Sequence, residues 1–436
     1  MNAFDRIIGY ETVKTELCGI GDALANIEAY AKLGVTAPRG LLLHGNPGVG
    51  KTLMANALIE MSGRPAFVCR KDKPNGDFVN AVKKTFTDAT AAAPSVVFLD
   101  DMDKFANGDS DHPDSEEYVT VQSCIDEVRD LDVFVLATAN RIRALPGSLL
   151  RAGRFDRVIE VRNPRGKDAV DIIAHYMKQK KFVGGIDPAV VARLMNGCSC
   201  AELETIINEA GLYAGFDRSD EITSDHFMKA FLHIVCDVPI GVLSAEIPDT
   251  DLNDGSDTRA RIVWHEAGHA TVAEVLDPGS VSLVSAYCRE RDMGGFTSCF
   301  RGVSDGSCEK IYDDVCVAFA GMAAQEQIFG AVDVGSAEDI DRAFEKLWQL
   351  VTKNCVRGLS LHENDFTFST SSELTSKQEQ AVAAEAEKFF RRAKEILSVN
   401  RDLFGAIARE LSRKGVLNTA DIARIREECR PVPAAA

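Results

Sequence analysis

The sequence predicts a multidomain chain in which an α/β domain with a parallel sheet and a helical lid precedes a mainly α-helical domain. Three observations support this fold class. First, 436 residues are too many for one ordinary hydrophobic core. Second, short apolar runs alternate with helix-like stretches in the first part of the chain, which is typical of a parallel sheet covered on both faces. Third, helical patterns replace these runs after Pro164.

The α/β domain is expected to contain four buried strands. The predicted strands are Gly40–His44, Pro65–Val68, Val96–Asp100 and Val133–Thr138. The predicted domains are the α/β domain over 1–164, its lid over 165–240, a linker over 241–258 and the helical domain over 259–436. The linker assignment depends on the polar, glycine-bearing stretch Pro248–Thr258.

The composition disfavours several classes of function. A net charge of −17 leaves no basic excess for nucleic-acid phosphates, and it disfavours binding to an anionic membrane. Apolar runs are far shorter than the roughly 20 residues of a membrane helix, and the first ten residues do not resemble a signal peptide. We therefore expect no membrane insertion. The twelve cysteines form no CxxC pair, which favours reduced thiols and a cytoplasmic location.

A phosphate-binding pattern, GxxxxGK[ST], lies between the first predicted strand and a helix. Such a loop turns tightly enough for backbone N–H groups and the helix N-terminus to face phosphates. The pattern comprises Gly45, Asn46, Pro47, Gly48, Val49, Gly50, Lys51 and Thr52. We expect ATP to bind here, with Lys51 at the β- and γ-phosphates and Thr52 on Mg²⁺. A glycine-rich turn without a ligand is the alternative, which the flanking strand and helix disfavour.

Polar residues also end two later strands of the predicted sheet. Asp100 is placed to support Mg²⁺, and Asp101 is placed to polarise the attacking water. Most such motors have Glu at the second position; because the Asp101 carboxylate is shorter, we expect slow hydrolysis. A helix N-cap role for Asp101 stays open. Asn140, after the strand Val133–Thr138, is placed to sense the γ-phosphate.

Two arginines lie three residues apart after this strand. Arg151 and Arg154 could reach the nucleotide of a neighbouring subunit and stabilise charge in the transition state. A surface cluster of salt bridges is the ordinary interpretation of such a turn, but the nucleotide-binding context favours the first.

The second half of the chain contains the zinc-binding pattern HExxH. On a helix, His265 and His269 are one turn apart on one face, so both imidazoles can meet one metal ion. Glu266 lies beside them as the general base for water. A pair of ordinary core histidines is the alternative, which the small and apolar flanking residues do not exclude.

Zinc needs a third protein ligand and an open position for water. Asp339 is the favoured candidate, but spacing alone does not separate it from Asp333 or Glu338. No third histidine lies close by, which argues against the HExxHxxGxxH type of metalloprotease.

Together these motifs resemble the FtsH family of AAA zinc proteases almost from end to end. Two independent sets of site residues in the right order make the resemblance specific. The segments that carry it are Phe4-Asp5, Pro38-Arg39-Gly40, Leu149–Arg157, Asn208-Glu209-Ala210, His265–His269, Gly294–Thr297, Ala320–Gly330 and Gly335–Asp339.

The resemblance implies an AAA (P-loop NTPase) α/β domain with a helical lid, followed by a mainly α-helical zinc peptidase domain, with Zn²⁺ and with ATP and Mg²⁺ as cofactors. It implies Asp339 as the third zinc ligand, Glu326 as a partner of a ligand, and Arg151 and Arg154 as residues that act across a homohexamer. The implied substrates are unfolded or tagged proteins.

The sequence departs from the family in ways that leave alternatives open. We expect no membrane helices, although the family normally begins with them. The stretch Arg70–Phe78 is shorter and more basic than the family's substrate-gripping pore loop, and Phe78 is its only candidate aromatic residue. One alternative is therefore a zinc peptidase whose AAA ring binds nucleotide as a scaffold with little hydrolysis. Another is an AAA ring that remodels client proteins.

Overall fold

A computed structural model of the chain describes residues 3–71, 75–106, 115–151, 153–183, 186–287, 294–299, 307–332, 334–362 and 372–434. The chain divides into two compact units, Met1–Ala230 and Phe231–Ala436. In the described residues, no helix combines the length and apolar character needed to cross a membrane.

The first unit is built on a five-stranded parallel sheet with the strand order β2-β3-β4-β1-β5. The strands are β1 (Gly40–His44), β2 (Ala66–Cys69), β3 (Ser95–Leu99), β4 (Val133–Ala139) and β5 (Arg157–Glu160). All four predicted strands are present. The fifth was not predicted, because Ile159 is its only buried residue and the strand lacks an apolar run.

Helices surround this sheet and form the lid. They are α1 (Glu11–Ala25), α2 (Ile27–Ala31), α3 (Lys51–Ser62), α4 (Asn75–Ala91), α5 (Ser115–Glu127), α6 (Lys167–Met177), α7 (Pro188–Leu194), α8 (Cys200–Phe216) and α9 (Ser224–Ile234). Helix α8 begins with a capping box: the Ser199 hydroxyl accepts from the Glu202 N–H, and the Glu202 carboxylate accepts from the Ser199 N–H. Two otherwise unpaired donors are thereby satisfied at this helix start.

The second unit is mainly helical, as predicted. Its helices are α10 (Ile240–Leu243), α11 (Thr258–Leu276), α12 (Cys308–Phe329), α13 (Ala337–Thr352), α14 (Ser372–Val399), α15 (Arg401–Lys414) and α16 (Thr419–Cys429). A small antiparallel sheet with the order β7-β6-β8 completes it, from β6 (Val281–Ser285), β7 (Phe296–Cys299) and β8 (Val416–Asn418). Helix α11 packs against α12 and α15 and is buried along most of its length.

Phe78 belongs to the core of the first unit rather than to a pore loop. It lies in the first part of α4, its side chain is fully buried, and its ring meets that of Phe105 edge-on with centroids 5.0 Å apart. Phe78, the candidate aromatic residue of this stretch, therefore does not serve as a substrate-gripping paddle, because such a residue must be exposed. Residues 72–74 of the predicted pore loop lie outside the described residues.

Truncating Phe78 should therefore destabilise the first unit. We expect Phe78→Ala to lower its free energy of unfolding by about 3–5 kcal/mol, the usual cost of removing a buried phenyl ring. Calorimetric unfolding of the whole chain would measure the loss. Val119→Ala, at an exposed apolar residue of α5, is the control and should change the free energy by less than about 0.5 kcal/mol. Equal stability of the two variants would contradict the core assignment.

Candidate functional site

The phosphate-binding loop joins β1 to α3 and depends on glycine at two close contacts. Gly45 has φ +149°, and a Cβ atom there would lie 2.0 Å from the Val161 carbonyl oxygen. Gly48 has φ +76°, and a Cβ atom there would lie 2.8 Å from the Ala201 Cβ atom at the start of α8. Side chains at either position would collide with neighbours and strain the backbone. The loop thus lies in close contact with the backbone directly after β5 and with the start of the lid helix α8.

Lys51, the first residue of α3, is held inside this loop. Its ammonium group donates to the Gly45 and Asn46 carbonyl oxygens and to Asn140 Oδ1, each at 2.8 Å. Burial lowers the pKa of Lys51, and the nearby carboxylates of Asp101 and two other aspartates partly oppose this shift. A buried cation beside a helix N-terminus makes this loop suited to an anion.

Asp100 follows β3 and is a hub of hydrogen bonds. Its Oδ1 atom accepts from Thr52 Oγ1 at 3.1 Å and from Thr138 Oγ1 at 2.7 Å. Its Oδ2 atom pairs with the Arg70 guanidinium. The structure thus brings together Thr52 and Asp100, the two residues predicted to support Mg²⁺. A hydroxyl and a carboxylate are oxygen donors of the kind that Mg²⁺ prefers, so these residues fit the ion.

Asp101 lies between two polar neighbours at the same end of the sheet. Its carboxylate accepts from Lys104 Nζ at 2.7 Å and from Asn140 Nδ2 at 3.3 Å. It precedes a short 3₁₀ helix, but its side chain makes no capping hydrogen bond. The N-cap interpretation therefore has no support in this geometry. Lys51, Asp101 and Asn140 form one hydrogen-bonded cluster, which is called the nucleotide cluster below.

The two arginines predicted to act on a neighbour lie apart from this cluster. Arg154 is tied within its own chain: its Nε and Nη2 atoms donate to the Asp126 carboxylate at 2.8 and 2.7 Å. This pairing raises the pKa of Arg154. Arg151 is exposed.

In the second unit, three side chains from two helices converge on one point. His265 and His269 project from α11, and Asp339 comes from the first turn of α13. The Asp339 Oδ2 atom lies 3.2 Å from His265 Nε2 and 3.1 Å from His269 Nε2, and the two Nε2 atoms lie 3.0 Å apart. These three form the one candidate metal cluster in the described part of the chain. Two imidazoles and a carboxylate are a donor set that zinc accepts.

A backbone oxygen orients one of the two histidines. His269 Nδ1 donates to the Val317 carbonyl oxygen at 2.7 Å, which leaves its Nε2 atom directed at the cluster. Burial lowers the pKa of His269, but the hydrogen bond to Asp339, the negative charges of Asp339 and Glu266 and the hydrogen bond to Val317 together raise the pKa to about 9. Burial likewise opposes ionisation of Asp339, yet the hydrogen bonds with both histidines hold its pKa well below the usual range. The carboxylate is therefore charged and available as a ligand.

Glu266 is held beside this cluster by a strand. Its Oε2 atom accepts from Thr297 Oγ1 at 2.7 Å, and the same hydroxyl lies 3.2 Å from the Glu266 carbonyl oxygen. Thr297 belongs to β7, so the sheet fixes the carboxylate that the sequence predicts as general base. Thr297 and the Val317 carbonyl oxygen were not among the predicted site groups. Thr297 ends the Gly294–Thr297 segment that carries the family resemblance, but its contact with Glu266, like that of Val317 with His269, arises from packing that the sequence does not display.

The acidic candidates for the third zinc ligand differ in where the structure places them. Glu338 is exposed, whereas Asp339 lies with the histidines; Asp333 lies outside the described residues. The expectation that Glu326 partners a ligand is wrong. Its carboxylate pairs with Lys394 Nζ at 3.1 Å, because its position on α12 directs it toward α14 instead of α11.

Two glycines allow α11 and α12 to approach at this site. A Cβ atom at Gly268 would lie 2.6 Å from the Ala320 carbonyl oxygen. A Cβ atom at Gly321 would lie 2.4 Å from His265 Nε2 and 2.6 Å from His269 Nε2. Contacts that short are not tolerated, so Gly321 preserves the space in which the metal ligands meet.

A single methyl group at Gly321 should displace the ligands. We expect Gly321→Ala to reduce bound zinc from about one per chain to below about 0.2, because productive ligand geometry tolerates shifts of only about 0.5 Å. Metal analysis of the purified protein measures this directly. Gly335→Ala is the matched control, since an added Cβ atom there meets no atom within 4 Å. Full zinc content in Gly321→Ala would show that the helices can separate without loss of the site.

Three family models match consecutive parts of the chain. The ATPase family associated with various cellular activities (AAA) matches residues 41–163, the AAA+ lid domain matches 185–229, and peptidase family M41 matches 255–425. These regions contain the nucleotide cluster, the lid helix α8 and the metal cluster, respectively.

Whole-chain relatives share the same order of domains. The chain is 31% identical over 447 residues to an ATP-dependent zinc metalloprotease FtsH of Pseudomonas putida, covering 94% of this chain and 70% of that protein. It is 29% identical to the zinc metalloprotease FtsH 4 of Synechocystis (96% and 70% covered). It is 28% identical to an ATP-dependent zinc metalloprotease YME1 homologue of Caenorhabditis elegans. That alignment includes 99% of this chain but only 62% of the relative. The chain therefore belongs to the FtsH family of ATP-dependent zinc metalloproteases.

Proposed function

We propose that this chain hydrolyses ATP to unfold and translocate protein substrates, and cleaves them at the zinc site. The convergence of His265, His269 and Asp339 beside a Glu266 carboxylate carries the proposal. Zinc, when bound, supplies Lewis acidity at this point. Glu266 takes the proton of the attacking water at its Oε2 atom, and Thr297 keeps that atom oriented.

An extended polypeptide is the substrate that suits the surroundings of Glu266. Strand β7 pairs only with β6 in the sheet of the described residues, so its other edge can accept a peptide in β-pairing. Its residue Thr297 contacts the general base. A peptide added to this edge would pass the catalytic carboxylate in extended form. Unfolded or tagged proteins meet this requirement, because a folded substrate would first have to expose such a segment.

At the nucleotide site we assign roles within the hydrogen-bonded cluster. Lys51 binds the β- and γ-phosphates, and the loop residues from Gly45 to Gly50 present their N–H groups to them. Thr52 and Asp100 support Mg²⁺. Asp101 orients the attacking water, and Asn140, which bonds both Asp101 and Lys51, senses the γ-phosphate.

We also propose that the chain works as a homohexameric ring in the cytoplasm. Arg151 is exposed and therefore accessible to a neighbouring subunit, and Arg154 lies three residues further on. Free thiols are in keeping with a reducing compartment: Cys124, Cys198 and Cys316 are buried in the core without a disulfide partner in the described residues, and burial raises the pKa of Cys198 to about 11.

The decisive experiment compares nucleotide states. Purified chain with zinc is incubated with an unfolded, casein-like protein and ATP, a non-hydrolysable analogue, or no nucleotide. We expect degradation with ATP alone to exceed the other two by about tenfold or more, because only hydrolysis drives translocation. Asp101→Asn is the matched variant, and it should degrade the protein at the rate seen with the analogue. Equal degradation in all three states would instead support a nucleotide-binding scaffold around a peptidase.

Removing the general base should separate cleavage from metal binding. Glu266→Gln should lower cleavage of a short peptide by about 100-fold or more, the range attributed to a positioned acid–base group. Zinc content should stay at the wild-type level, since Glu266 is not among the three converging ligands. The peptide assay and metal analysis together test this. Undiminished cleavage would remove Glu266 from the mechanism.

A further inference from the structure

Arg70 is a basic residue at the proposed nucleotide site to which the proposed function assigns no role. It follows β2 directly, and its guanidinium pairs with Oδ2 of Asp100 across the end of the sheet. The Asp100 side chain is 4% exposed, while that of Arg70 is 61% exposed. A buried carboxylate therefore has as its partner a cation that can swing away into solvent.

Both oxygen atoms of Asp100 already have partners. Oδ1 accepts from the Thr52 and Thr138 hydroxyls, and Oδ2 pairs with Arg70. Mg²⁺ supported by Asp100 and Thr52 would thus lie within a few ångströms of the guanidinium. Two cations on one carboxylate repel each other, and although solvent around the exposed Arg70 screens part of this repulsion, Mg²⁺ and the guanidinium compete for Asp100.

The charges around the site also favour competition between Arg70 and Mg²⁺ for Asp100. Three aspartates gather here, Asp100, Asp101 and Asp103, and each influences the pKa of Lys51. Apart from Lys51, two cations pair with these aspartates: Arg70 pairs with Asp100, and Lys104 pairs with Asp101. Without Arg70 the cluster gains one net negative charge at the carboxylate that supports Mg²⁺.

Lys71, the residue after Arg70, holds the backbone in place when the Arg70 side chain moves. Lys71 Nζ lies 3.0 Å from Glu117 Oε2, and the Glu117 side chain is 1% exposed. This buried pair anchors the backbone beside Arg70 to α5. Displacement of Arg70 is therefore a rotation of an exposed side chain, which needs no rearrangement of the strand.

We propose that Arg70 is an internal counter-ion that competes with Mg²⁺ for Asp100, and so sets the Mg²⁺ concentration at which the nucleotide site loads. The guanidinium neutralises Asp100 when Mg²⁺ is scarce, and it is released to solvent when the Mg²⁺–nucleotide complex binds. The inference rests on the proposed nucleotide site but is independent of the peptidase.

Equilibrium binding of a fluorescent, non-hydrolysable ATP analogue tests the competition. The analogue is titrated with Mg²⁺ into the full chain, and the Mg²⁺ concentration at half-maximal binding is compared between variants. For Arg70→Gln, which keeps a polar side chain of similar reach, we expect this midpoint to fall about fivefold, in keeping with loss of one charge-assisted contact at a partly exposed pair. Arg70→Lys should stay within about twofold of the wild type, since it keeps the charge.

Two further arms separate competition from other roles. Lys71→Ala removes a neighbouring cation that pairs with Glu117 instead of Asp100, and its midpoint should stay within about twofold of the wild type. In EDTA, Arg70→Gln should bind the analogue no more tightly than the wild type does, because Asp100 then lacks its counter-ion and repels the phosphates. Tighter binding in EDTA would show that Arg70 hinders the nucleotide itself, and an unchanged midpoint with Mg²⁺ would remove the competition; either result overturns the proposal.

The experiment also distinguishes the inference from the proposed nucleotide site. A wild-type chain that binds no analogue at any Mg²⁺ concentration would contradict the nucleotide site itself. Binding with one common midpoint for the wild type and Arg70→Gln would contradict only the role of Arg70. Circular dichroism of each variant verifies that it is folded.

Discussion

The close approach of α11 and α12 is the constraint from which the metal site follows. Gly268 on α11 meets the backbone of α12 at Ala320, and Gly321 on α12 faces the imidazoles of α11. Helices with larger side chains at these positions would lie further apart, because protein interiors leave no room for overlap. The same approach brings the Val317 carbonyl oxygen within reach of His269. Helix spacing therefore sets the orientation of the ligand as well as the space around it.

The nucleotide site also depends on glycines that permit close contact, although its fold is different. Gly45 and Gly48 allow the loop to touch β5 and α8, and that contact holds Lys51 against the loop carbonyl oxygens. In both units a glycine removes a side chain where backbone or ligand must come close, and buried charges are then satisfied by several partners. Asp100 illustrates this: two hydroxyls and one guanidinium surround a single carboxylate. Such networks are strong only when every member is paired.

Much of this arrangement could be predicted from the sequence, because local patterns determine it. The four predicted strands are largely apolar runs, and the phosphate loop and HExxH carry their chemistry within a few residues. Asp339 could not be separated from Glu338 by spacing, since the choice depends on which side of the first turn of α13 faces α11. The contacts of Thr297 and Arg70 could not be predicted, because each residue acts through a partner about 30 residues away. The place of Phe78 could not be predicted either, because α4 begins at Asn75 and buries this residue in the core instead of leaving it in a loop.

The two chemistries share no side chain. Every residue of the nucleotide cluster lies in the first unit, and every residue of the metal cluster lies in the second. Hydrolysis of a peptide bond is itself favourable in water, so the zinc site does not need energy from ATP to cut a peptide that reaches it. In the proposed function, ATP hydrolysis moves chain to the zinc site, and a folded substrate adds the cost of its own stability, about 5–15 kcal/mol for an ordinary domain. If the first unit delivers extended chain to the peptidase as proposed, dependence of cleavage on ATP should grow with the stability of the substrate.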